Sequence, residues 1–176
     1  SFGAEVPFLR PAELANDTVG TGEVVKHALG WLLERNFQVK HVCCIYATAP
    51  LLSVESLIRG YHRLVDSNKS YAFSVTSFPF PIQRALRVCH EGHVEPLWPE
   101  NVTVRSQDLE ETYHDAGQFY WGLARAFLDD VALYSPNSLS VVLPRYMVQD
   151  IDSEEDWIRA EFMHQAARSK APRSSE

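Results

Sequence analysis

The spacing of apolar residues divides the chain into alternating helices and strands. Residues 21–36, TGEVVKHALGWLLERN, carry Val24, Val25, Ala28, Leu29, Leu32 and Leu33 at the intervals of one helical face, with Thr21 placed to cap it. Val42 to Tyr46 is a short continuous apolar run of strand formers, closed by Ala49-Pro50. Such a run predicts a strand buried on both faces, as in parallel sheets. Residues 53–67 place Val54, Leu57, Ile58, Tyr61, Leu64 and Val65 on one stripe, with Ser53 as the cap. Ala72–Phe78 predicts the next strand, so strand, helix and strand form a crossover unit, right-handed by the general rule.

The helical period stops between Pro79 and Thr112. There RVCHEGHVEPLW reads as a hairpin, Arg87–His90 and His93–Leu97 joined by a Glu91-Gly92 turn. Residues 79–112 are expected to project as an arm, and Leu97 and Trp98 exposed on it would suit a dimer contact. Regular structure resumes with AGQFYWGLARAFLDD as a helix after a short strand or turn. Ser138–Pro144 follows as a strand, and SEEDWIRAEFMHQAARS as a last helix with acids in its first turn, where the helix dipole favours them. Residues 169–176 are expected to be a disordered tail. The pattern predicts one α/β domain over residues 1–168: an open, mostly parallel sheet with flanking helices and a β-rich inserted arm.

Composition narrows the function classes. A chain of 176 residues suits one domain with a real core, and 45% apolar and 22% charged residues are the proportions of a soluble globular protein. The formal net charge of −7 disfavours nucleic-acid binding through phosphate contacts, although local arginines can still hold a small anion. No apolar run approaches the roughly 20 residues that span a bilayer. No charged n-region followed by an apolar h-region opens the chain, and SFGAEVPFLRP reads like the middle of a longer protein. Cys43, Cys44 and Cys89 form no C-x-x-C pair, which predicts reduced, buried thiols in a cytoplasmic protein.

Several stretches could carry chemistry. Asp150 and Asp152, two apart in extended chain, point the same way and could hold Mg2+ together with substrate phosphates. Asp152 at the start of Asp-Ser-Glu-Glu equally fits a helix N-cap. His90 and His93 lack the spacing of a zinc helix motif and read as a strand turn. TVGTGEV (Thr18–Val24) sets two glycines before a helix, where backbone N–H groups could face a phosphate, or simply form a loop and cap. Arg10, before a proline, sits in extended chain with a fork suited to an anion, and equally fits a lone surface residue. Phe119, Tyr120 and Trp121 in YHDAGQFYWG read as core or as the wall of a pocket.

Taken together, FGAEVPFLRPAELANDTVGTGEVVKHAL, IYATAPLL, FPIQRAL, YHDAGQFYWG and LPRYMVQDIDSEEDWIRAE resemble the sialic-acid-type (acylneuraminate) cytidylyltransferases, in their order and over Phe2 to about Phe162. YATAPL, FPIQRAL and YHDAGQFYWG are similar to the branch that acts on pseudaminic acid. The resemblance implies a Rossmann-like, nucleotide-diphospho-sugar-transferase-like sheet. It also implies transfer of CMP from CTP to a nonulosonic acid for bacterial surface glycans or flagellin, with Mg2+ (or Mn2+) as cofactor and a homodimer as the assembly. By that resemblance Asp150 and Asp152 hold the metal, and Arg10, Thr21 and Tyr46 meet the nucleotide. Gln83, Arg84, Arg105, Gln118 and Tyr120 meet the sugar acid. The resemblance leaves N-acetylneuraminic or legionaminic acid as alternative substrates, and a non-catalytic α/β module as an alternative role. The family's A-R-x-G-S-K phosphate loop and its first strands belong upstream of Arg10 and are not in this sequence, which implies little or no catalysis by this stretch alone and an exposed sheet edge or altered assembly.

Overall fold

The computed structural model describes residues 3–16 and 18–170, the side chains of 168–170 excepted. Helix α1 (Thr21–Glu34) leads into strand β1 (His41–Ile45), helix α2 (Val54–Val65) and strand β2 (Tyr71–Ser77). Strands β3 (Leu86–Val88) and β4 (Val94–Pro96) form a separate antiparallel hairpin. Strand β5 (Tyr113–Leu123), helix α3 (Ala124–Leu128), strand β6 (Ser138–Val142) and helix α4 (Glu154–Lys170) complete the chain. The tail expected over 169–176 begins inside α4, and residues 171–176 lie outside the described residues.

The main sheet has the order β1-β5-β2-β6. β1, β2 and β6 run the same way, and β2 pairs with β6 in parallel. β5 runs the opposite way between β1 and β2, so the sheet is mixed rather than mostly parallel in its pairings. The expected crossover through α2 is present, but it skips one strand position, which β5 fills.

α1 and α3 cover one face, where Val25, Leu29, Tyr71 and Phe127 pack together. α2 covers the other, with Leu64 on Ala72, Phe119 and Val141. The adjacent cysteines point to opposite faces, Cys43 into the α2 layer and Cys44 into the α1 layer, as strand alternation requires. β2 is buried over six of its seven residues and forms the centre.

Three expectations need correction. Residues 116–123 are not helical: Phe119, Tyr120 and Trp121 lie in β5, and only Ala124–Leu128 turns helical. The aromatic run gains more by packing between two strands than a helix there could offer, with Phe119 0% exposed. β1 is an edge strand, half-buried, with Ile45 exposed, not one covered on both sides. Thr21 does not cap α1; Gly20 takes that position and Thr21 is the first helical residue. Ser53 does cap α2, accepting from the Ser56 N–H.

Candidate active site

The site begins with an irregularity in β5. Phe73 faces Tyr120, but two residues on, Val75 faces Asp115, so β5 carries extra residues opposite Ser74. Gly117 takes φ +60°, a left-handed conformation that suits glycine. The Ser74 hydroxyl accepts from the N–H groups of Gln118 and Phe119 and donates to the Phe119 carbonyl, while Asp115 Oδ1 accepts from the Gly117 N–H at 2.8 Å. Backbone groups that lost their ladder partners are thereby satisfied.

The bulge turns side chains toward two cavities. The first, about 430 Å³, lies under the N-terminus of α1. Gly20, Thr21, Gly22 and Glu23 form its helix end, and Tyr46, Tyr71, Tyr120, Phe127, Leu133 and Tyr134 form much of its wall. The hydroxyls of Thr21 and Tyr46 share a hydrogen bond of 2.6 Å, and the Tyr46 and Tyr120 rings pack at 5.1 Å. The unpaired N–H groups at a helix start favour an anion. The TVGTGEV segment thus lies where its glycines and threonine can meet one.

The second cavity, about 380 Å³, is lined by Asp150 and Asp152 together with His114, Asp115, Arg145 and Arg159. Ser153, not Asp152, caps α4. Its hydroxyl donates to Asp156 Oδ2 at 2.7 Å and accepts from the Asp156 N–H, while Asp156 accepts from the Ser153 N–H. This reciprocal box holds the Asp156 carboxyl below its ordinary range, the Ser153 hydrogen bond being the largest cause. It also leaves the Asp152 carboxylate without a donor among the described residues. Gln118 sets the position of this loop by donating from its side-chain amide to the Met147 carbonyl. At Gly117 an added Cβ would stand 3.3 Å from Asp150 Oδ2, so the bare glycine keeps room around that carboxylate.

Asp115 joins the two cavities. It lines the second, and its Oδ2 accepts from Tyr120 at 2.8 Å and from Tyr134 at 2.7 Å, both of which line the first. Burial pushes the Tyr120 phenol up strongly and the Tyr134 phenol up to about 12, and the bond to Asp115 adds to each. Both therefore stay protonated donors at neutral pH.

The other expected residues are placed as follows. Thr21, Tyr46 and Tyr120 meet in the first cavity, Asp150 and Asp152 in the second. Gln118 is buried and lines neither. Arg10 is exposed and lines neither. Gln83, Arg84 and Arg105 stand on the 79–112 segment: Gln83 donates to the Glu110 carbonyl, Arg84 to Ser106, and Arg105 is held by Asp108 at 2.9 Å. Among the cavity residues that sequence reasoning did not assign are Asp115, Tyr134 and Arg145. Asp115 stood inside a quoted motif, and Arg145 five residues before Asp150, so proximity was the available signal. Among the described residues no cluster of three His, Cys, Asp or Glu side chains could hold a metal by itself.

No protein-family model matches the chain. Over 170 residues, 97% of this chain and 73% of the relative, it is 36% identical to the pseudaminic acid cytidylyltransferase of Campylobacter jejuni serotype O:2. The chain belongs to the pseudaminic acid cytidylyltransferase family. The corresponding enzyme of Campylobacter jejuni serotype O:23/36 matches to the same extent. A Helicobacter pylori protein named as both pseudaminic acid cytidylyltransferase and UDP-2,4-diacetamido-2,4,6-trideoxy-beta-L-altropyranose hydrolase is 32% identical over 152 residues, 86% of this chain and 29% of that protein. Family membership accounts for the α/β sheet flanked by helices. Among the described residues no helix is long and apolar enough to cross a membrane.

Proposed function

We propose that the protein transfers CMP from CTP to pseudaminic acid. The anomeric hydroxyl oxygen bonds to the α-phosphorus, the bond from that phosphorus to the bridging oxygen breaks, and pyrophosphate leaves with the electron pair while the hydroxyl proton is lost to a base. The observation that carries this reading is convergence: Thr21, Tyr46 and Tyr120 line one cavity, Asp150 and Asp152 the other, and Asp115 ties them together. Phosphoryl transfer needs positioning and charge neutralisation more than covalent chemistry, and this arrangement offers both. The α1 N-terminus and the Thr21 and Tyr46 hydroxyls receive the nucleotide, and Arg10, exposed and outside both cavities, would have to swing in from the loop before α1 to join them. Tyr120, Phe127 and Leu133 give an apolar wall against which a partly apolar sugar acid can lie, with Gln118 fixing the strand behind it. Arg145 donates to the Phe78 carbonyl and has no carboxylate partner among the described residues, which suits its guanidinium to an anionic group.

The donor set suits magnesium. Asp150 and Asp152 offer oxygen alone, and a pair of carboxylates completed by substrate phosphates is the usual Mg2+ arrangement. A bound ion would neutralise negative charge on the triphosphate. The protein's own part is to hold the two carboxylates apart from the helix cap, which Ser153 and Asp156 accomplish.

The 79–112 arm makes a homodimer. Its support is apolar exposure: Leu86, Val88, Val94 and Trp98 all face solvent, with Val88 71% exposed. Gln83, Arg84 and Arg105 on this arm then serve the sugar acid bound by the neighbouring subunit. The reaction is placed in the cytoplasm, where CTP is supplied.

Pyrophosphate release tests the reading. With CTP and Mg2+, pseudaminic acid should support release and N-acetylneuraminic acid should not. Release with N-acetylneuraminic acid and none with pseudaminic acid would overturn the assignment of substrate.

A further inference from the structure

Tyr134 is unusual for a residue lining an apolar cavity. It is 73% exposed, and its ring touches Phe73 edge-on at 5.7 Å. An exposed aromatic side chain with one ring contact should sample several rotamers. Its hydroxyl is instead turned inward onto Asp115 Oδ2, the same oxygen that receives Tyr120 from the cavity wall. Both phenols are kept protonated, the state in which they donate. One carboxylate oxygen therefore fixes a wall residue and a rim residue together.

We propose that Asp115 is a positioning residue for the sugar-acid subsite, holding the Tyr120 and Tyr134 phenols as wall and rim of the aromatic cavity. This rests on the reading of that cavity under the proposed function. The bulge role of Asp115 is separable, because it uses the other oxygen: Oδ1 accepts from the Gly117 N–H. In Asp115→Asn the amide oxygen can still serve Gly117, while the amide nitrogen donates and cannot accept from a phenol. The substitution keeps the volume and the bulge and removes the carboxylate acceptor, so that any remaining contact is a weaker neutral bond donated by the amide to the phenols. Fixing the rim before substrate arrives spares ordering it on binding, so the effect belongs in affinity for the sugar acid.

Two measurements test this on the whole chain. In steady-state kinetics, Asp115→Asn and Tyr134→Phe should each raise KM for the sugar acid about tenfold, the loss expected for one charge-assisted hydrogen bond, and Tyr134→Phe, which leaves the carboxylate in place, should do so with kcat and KM for CTP within about twofold of the parent. The double variant should be no worse than the worse single, since both remove the same contact. Additive losses, or a shift in KM for CTP instead, would overturn the proposal. The second measurement needs no turnover. A phenol donating to a carboxylate absorbs at longer wavelength, so Asp115→Asn should shift part of the near-ultraviolet tyrosine band to shorter wavelength at neutral pH. Much of that shift should be absent when the change is made in Tyr134→Phe. An unchanged spectrum sinks the clamp whether or not the parent protein turns over; inactivity of the parent with an intact shift sinks the substrate reading and leaves the clamp standing.

Discussion

Asp152 is the residue whose side chain is most plainly reserved. Its neighbour Ser153 does the capping, and no described group donates to its carboxylate. Asp152→Asn should cut metal-dependent pyrophosphate release by roughly a hundredfold to a thousandfold, the usual loss of one charge-stabilising group, without moving the thermal midpoint. Turnover near the parent rate would remove Asp152 from the site. Cys43 supplies a second expectation. Burial, with Cys44 adding, raises its thiol from 9.0 to about 12. Because the folded value is raised, the thiolate is scarce at every pH below it: at pH 8 its fraction falls about a thousandfold, and the greater nucleophilicity of a more basic thiolate returns about half of that on a logarithmic scale. Iodoacetamide should therefore modify Cys43 roughly thirtyfold more slowly than a model thiol, read by mass spectrometry of the native protein. At this scale the family resemblance, more than any residue read alone, singled out the Asp150 and Asp152 pair and the Thr21, Tyr46 and Tyr120 group, and the structure puts each set on one cavity. Asp115 and Tyr134 could not be named in advance, because their importance lies in a contact that spans nineteen residues of chain and depends on the bulge at Gly117.

At the scale of elements, α2 must pass very close to β5. A Cβ at Gly60 would meet Phe119 Cε2 at 2.7 Å and Trp121 Cδ1 at 2.8 Å. Neither ring can retreat: Phe119 is fully buried, and the Trp121 indole N–H is held by the Leu57 carbonyl at 2.9 Å. Alanine favours a helix over glycine by about 1 kcal/mol, but overpacking a closed core costs about 1–3 kcal/mol. Gly60→Ala should lower stability on balance, seen as a smaller denaturant midpoint; a stabilised variant would mean that the α2 and β5 layers are looser than their spacing shows. Helices α1 and α2 were legible from periodicity, α4 from its acidic first turn, the hairpin from its Glu91-Gly92 turn, and β1, β2 and β6 from short runs of strand formers. β5 was not. Ala116, Phe119, Tyr120 and Leu123 fall at helical spacing, and a strand covered on both faces shows no alternation to contradict it. The two glycines weakened a helix, the three consecutive aromatics favoured a strand, and the burial they made possible decided the matter.

For the whole molecule, the arm is the testable feature. Its hairpin exposes Leu86 and Val88 on one strand and Val94 on the other, outside the core. Light scattering at micromolar concentration should give a dimer mass, and Val88→Asp with Val94→Asp should give a folded monomer. A parent chain that is monomeric at those concentrations would remove the arm from the assembly.

The antiparallel course of β5 also governs the order in which this protein can be made. β1 and β2 are never neighbours; each pairs with β5, residues 41–45 with 119–123 and residues 71–73 with 120–122. A nascent chain that has emerged only as far as Thr112 can close the small β3-β4 hairpin but not one rung of the main sheet. Collapse must wait for the strand that also bears the Gly117 bulge, and pairings so distant along the chain make that step slow. The bulge with its Asp115 acceptor and the central sheet would thus arise in one event, and ribosome-bound chains halted before and after β5 should differ sharply in resistance to protease.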